Sequence, residues 1–101
     1  FISNEIRLIA MAEMIHAEKI AERLVYLGDK PTTEPAKVDI EGTEIEMLEK
    51  DVKEEEFAID MYKKIIKMAN DEGDSTTRLL FEQILAEEET HHNTFKTLLG
   101  D

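Results

Sequence analysis

With 101 residues the chain has room for one domain and, if mostly helical, for a real hydrophobic core. Hydrophobic residues at 42% and charged residues at 36%, with only 4 Gly and 2 Pro, suit long helices and argue against a sandwich or barrel. A net charge of −12 sets the surface against nucleic acid and anionic membrane and favours cations, although a soluble acidic protein of any function carries such a surface too. The absence of Cys removes disulfides, thiolate metal sites and cysteine nucleophiles together. No apolar run approaches the ~18 residues of a membrane span, and no signal peptide is visible. A reducing, cytoplasmic setting fits these features. The chain opens Phe1-Ile2-Ser3, without Met and already in helical pattern, and so reads as a truncated or processed piece of a longer protein.

The first predicted helix covers about residues 2–27. Its seam runs Ile2, Ile6, Ile9, Glu13, His16, Ile20, Arg23, Leu27, in alternating steps of four and three. A second, small apolar stripe follows Ala10, Met14, Ala17, Ala21 and Leu24. A helix with two apolar faces packs against a neighbour on each, here a second subunit. Gly28 supplies the stop. Residues 28–43 carry both prolines and no periodicity. That length is too long for a tight hairpin and suits a crossover along a bundle, with Val38 and Ile40 packing onto the bundle as it passes.

The second helix, about 44–71, starts at a Thr43-x-x-Glu46 capping pattern. Its seam reads Ile45, Leu48, Val52, Glu55, Ile59, Tyr62, Ile66, Ala69, with Glu55 the one charged member. Asn70 to Gly73 ends it, and Asp74 or Ser75 caps a third helix running from about 75 to 99. The third seam is Phe81, Ile84, Glu88, His91, Phe95, Leu98.

Each seam is thus interrupted near its middle by groups that are expensive to bury alone. Residues three apart share a helix face, so Glu13 points with His16, and Glu88 with His91. Two such pairs plus lone glutamates from the other two helices of a bundle, at one level, describe a carboxylate-bridged dinuclear iron or manganese site, and this chain carries one of those glutamates, Glu55. Carboxylates bridge and balance the cations, and one imidazole completes each shell. The competing structural reading is a buried salt-bridge network, but apart from Arg23 no Lys or Arg lies on these seams. His92 also follows a glutamate, Glu89, by three places, one step off the seam, and reads as a surface residue.

The segments Ala12-Glu-Met-Ile-His-Ala-Glu-Lys19, Asp51-Val-Lys-Glu-Glu-Glu56 and Ile84-Leu-Ala-Glu-Glu-Glu-Thr-His91, with the long crossover, resemble bacterioferritin and its ferritin-like relatives over nearly the whole chain. The resemblance implies an all-α, ferritin-like helical bundle of which the chain holds helices two to four. It implies a di-iron ferroxidase centre with Glu13, His16, Glu55, Glu88 and His91 as metal ligands, the three glutamates being the catalytic residues. The family's first helix, with its lone glutamate, would precede Phe1, so a missing or swapped helix is expected to complete the bundle. The short fifth helix of the family has no counterpart before Asp101. Met14 falls where bacterioferritin places a haem-ligating methionine between two subunits, but Glu13-Met14-x-His16 also resembles rubrerythrin-type sequences in which that Met binds no haem. A Met that merely fills a core or interface gap is the further alternative.

The expected function is iron storage and detoxification, with Fe(II) oxidised by dioxygen or peroxide in a homo-oligomer whose minimum unit is a dimer through the first helix. Alternatives are a rubrerythrin-like peroxidase or manganese catalase-like enzyme on the same ligands, and a non-catalytic helical assembly module or inactive truncated fragment.

Overall fold

The computed structural model describes residues 2–31 and 42–100, and the expected packing of Val38 and Ile40 lies outside them. Among the described residues the secondary structure is entirely helical: α1 (Ile2–Tyr26), α2 (Glu44–Asp71) and α3 (Ser75–Leu98). The chain divides into two compact units, one carrying α1 and the other α2 with α3.

In the first unit, α1 carries Glu5 in its first turn and Arg23 in its last, each on the side of the helix dipole that suits its charge. The Arg23 guanidinium also lies 4.7 Å from the ring centroid of Tyr26. The helix stops in a paired-bond motif: Gly28 N–H donates to the Val25 carbonyl at 3.0 Å and Asp29 N–H to that of Leu24 at 2.9 Å. That motif needs a left-handed residue, and Gly28 takes φ 89°. Leu27 follows the last helical residue and is 53% exposed, outside the seam to which its spacing assigned it.

In the second unit, α2 opens with a full capping box. Glu46 N–H donates to Thr43 Oγ1 at 3.1 Å, and Thr43 N–H returns the bond to Glu46 Oε1 at 3.3 Å. Asp74 is the cap of α3, accepting from Thr77 N–H at 3.1 Å and from Thr77 Oγ1 at 2.6 Å. Between them, Glu72 to Asp74 reverse the chain. Asp74 N–H reaches back to the Ala69 carbonyl at 2.8 Å across Gly73, whose φ is 73°. So short a turn makes α2 and α3 an antiparallel pair.

The pair buries Leu48, Ile59 and Ala69 of α2 and Phe81, Ile84 and Phe95 of α3. Tyr62 tilts against Phe81 with ring centroids 5.5 Å apart, a favourable aromatic geometry. Each large apolar side chain buried this way contributes about 1.5–3 kcal/mol. One seam expectation fails: Ile45 is 61% exposed. It stands in the first turn of α2, just after the cap, and Leu48 one turn later is the first residue of that seam to be buried.

Candidate metal centre

The same seams that build the α2–α3 core carry the polar groups into it. Glu55 lies between the core positions of α2, one turn from buried Ile59, and is itself buried. On α3, Glu88 and His91 occupy consecutive seam positions between Ile84 and Phe95. Glu88 is 1% exposed and His91 9%. The 3.6-residue period aligns these two on one face, with Glu88 Oε1 3.6 Å from His91 Nδ1.

The antiparallel packing then brings Glu55 of α2 to the Glu88–His91 pair of α3. Ligand-capable atoms of the three residues lie within 4.8 Å of one another. Two carboxylates and one imidazole, with no Lys or Arg in the group, form a hard-to-borderline oxygen and nitrogen donor set that suits iron, manganese or zinc. Burial of two carboxylates is costly unless cations or donors compensate them, and a divalent cation there would balance both. The donor set therefore fits a metal.

On α1, Glu13 and His16 repeat the second pair, with Glu13 Oε2 4.0 Å from His16 Nδ1. His16 is buried and Glu13 half-buried. Met14 is 66% exposed on α1.

His92 has a partner that sequence reasoning missed. Its Nε2 lies 3.3 Å from Glu56 Oε2 on α2, not paired with Glu89 on its own helix. The side chain is 22% exposed. With Ile59, Asp60 and Glu89 the two line an open cleft of 570 Å³. The available signal was positional: Glu56 follows Glu55 and His92 follows His91, so both sit one step around their helices from the buried donors.

The titration of Asp51, one turn before Glu55, is perturbed. Burial, and then the Glu54 carboxylate, push the Asp51 carboxyl above its ordinary value of 3.8, against a smaller opposing pull from Lys50.

A family model for the ferritin-like domain matches residues 2–101. The bacterioferritin of Desulfovibrio desulfuricans is 34% identical over 98 residues, covering 96% of this chain and 55% of its own. That of Mycobacterium avium is 38% identical over 88 residues, covering 86% of this chain and 55% of its own. The Brucella melitensis bacterioferritin is 32% identical over 94 residues, covering 89% and 56%. A crystal structure of the D. desulfuricans protein, described as showing its diiron site in different catalytic states, superposes with a TM-score of 0.85 at 36% identity. The match covers 92% of this chain and 55% of that one. The chain thus spans about half the length of the curated relatives it matches. Among the described residues, no helix is long and apolar enough to cross a membrane.

Proposed function

Because the chain belongs to the ferritin-like family, we propose that it serves in iron storage and detoxification, oxidising Fe(II) at a di-iron centre. The observation that carries this reading is the convergence of buried Glu55, Glu88 and His91 within the α2–α3 pair. We assign Glu13 and His16 of α1 to the same ligand set, on the strength of their repeating the glutamate–histidine spacing of Glu88 and His91.

In this reading each residue has a task set by its chemistry. Glu13, Glu55 and Glu88 supply the negative charge that two cations need, and carboxylates can bridge. His16 and His91 supply neutral nitrogen donors, each held beside its own glutamate by the three-residue spacing. The metal pair would supply a place where each Fe(II) passes one electron to dioxygen or peroxide. The acidic surface, at −12 overall, draws cations towards the protein. Leu8, Met11, Met14 and Ile15, each at least half exposed on α1, support a homo-oligomer that buries this helix, at minimum a dimer. Haem at Met14 belongs to the same dimer reading and would need that interface.

The test is to load the purified chain with Fe(II) without oxygen, then add dioxygen or peroxide. About two irons per site, oxidised rapidly and retained as mineral, is the expected result. Peroxide turnover without mineral would move the reading to a peroxidase, and preference for manganese to a catalase-like enzyme. No specific metal binding would return the buried carboxylates to a structural role.

A further inference from the structure

We propose that the Glu56–His92 hydrogen bond is a register clamp that positions Glu55 of α2 and His91 of α3 for the metal. The inference rests on the metal-binding reading above and adds two positioning residues to it.

At least two polar ties cross from α2 to α3. Arg78 donates from Nη1 to Asn70 Oδ1 at 3.0 Å, beside the turn. His92 Nε2 meets Glu56 Oε2 at 3.3 Å farther along. From Asn70 back to Glu56, and from Arg78 on to His92, the step is the same, two heptads. Two heptads return nearly to the same face of a helix, so both ties lie along one side of the pair, about 21 Å apart. Equal steps on both strands of an antiparallel pair define one register, and a slide of α3 by a single residue, about 1.5 Å, would break both ties.

The second tie coincides with the level of the donors. Glu56 is bonded covalently to Glu55, and His92 to His91, so holding the outer pair fixes the height and rotation of the inner pair. Apolar seams tolerate small sliding, because dispersion and burial are non-directional. A hydrogen bond is directional and short-ranged. It adds the constraint that the apolar core lacks at the place where the donor atoms must stay within 4.8 Å of one another.

Positioning by this bond is separable from its effect on stability. Glu56 is 57% exposed at its side chain, and partly exposed pairs of this kind contribute little to folding. Removing the bond should therefore barely move melting, while loosening the donors. Partners that hydrogen-bond a metal's ligands directly typically change affinity about 10–100-fold, and a tie acting through the neighbouring backbone should sit at the low end of that range.

Co(II) alone is the probe, titrated into the full chain and followed by its visible spectrum, beside melting of the metal-free protein. His92→Leu is expected to weaken Co(II) about tenfold and shift the spectrum, with melting little changed. His92→Gln, whose Nε2–H can still donate to Glu56, should restore both. Glu56→Ala, at an exposed position, should reproduce the His92→Leu loss even if that variant folds poorly. Asn70→Ala, which cuts the exposed tie beside the turn, should leave melting little changed and the Co(II) spectrum as it is. Unchanged affinity and spectrum in both His92→Leu and Glu56→Ala would overturn the clamp, as would failure of His92→Gln to rescue. Absence of a Co(II) spectrum in the unsubstituted chain would overturn the metal reading itself, and the clamp with it.

Discussion

The α1 unit and the α2–α3 unit carry the same device, a glutamate and a histidine three residues apart in mid-helix, and support it differently. The helix pair builds its own surroundings: Leu48, Ile59, Phe81, Ile84 and Phe95 are buried around Glu55, Glu88 and His91. Its turn and caps fix which residues face which. By contrast, α1 shows Leu8, Met11, Met14, Ile15 and Val25 at 50% exposure or more. A lone helix can align a Glu13–His16 pair by its period alone, but it cannot supply a third donor or a packed wall. A spacing motif is therefore half of a metal site, and antiparallel packing is the other half.

Core truncation gives the largest expected contrast between the units. Ile84→Ala, at a side chain 2% exposed, should cost about 2–5 kcal/mol in urea unfolding. Leu8→Ala on α1, at 52% exposed, should stay within about 0.5 kcal/mol in a dilute, unassembled sample. Similar costs for the two would erase the distinction drawn here.

Next comes Glu88→Leu. Filling a 1% exposed carboxylate site with an apolar side chain of similar volume should leave the metal-free chain as stable as before or more so. Metal affinity should fall by more than the ~100-fold upper range for an outer partner, read by equilibrium dialysis. A variant that keeps its metal would make the polar seam a device for helix register only.

The smallest effect concerns pH. Asp51 has a raised pKa, so the folded state binds its proton more tightly than the unfolded state does. Its contribution to stability therefore falls as pH rises from 3.8 through the raised value, and the ionised form is a cost at neutral pH. Asp51→Asn should stabilise the chain by about 0.5 kcal/mol or less at pH 7, with the gain vanishing below 3.8. A gain that grows on acidification would reverse the sign.

Much of this was legible in the residues because both signals are periodic. Glu55, Glu88 and His91 interrupt apolar seams in step, and a residue in step with a buried stripe is buried with it. Periodicity says nothing about where a stripe stops, which is why Ile45 and Leu27 looked like seam members and prove exposed at the helix ends. Nor can a one-helix pattern reveal a partner on another helix. His92 looked like a surface residue beside Glu89, but its contact with Glu56, 36 residues away, depends on how α2 and α3 slide into register. That register follows from the turn, from side-chain volumes summed over the interface and from the polar ties between the helices, quantities no local spacing contains.

The brief reversal from Glu72 to Asp74 also has a kinetic side. A helix pair joined this way has low contact order, and closing so small a loop takes about 10–100 ns, far less than assembling distant segments. Association would spread like a zipper from Ala69 and Arg78 outwards, reaching the level of Glu55 and His91 only about 20 Å further on. The last stretch to close is the first to fray. Amide exchange should accordingly quicken from the turn towards Leu48 and Phe95, and a uniform profile would argue against such an ordering. Fraying from that end would uncover the acidic interior while the turn holds, giving small cations a way in at a fraction of the free energy of complete unfolding.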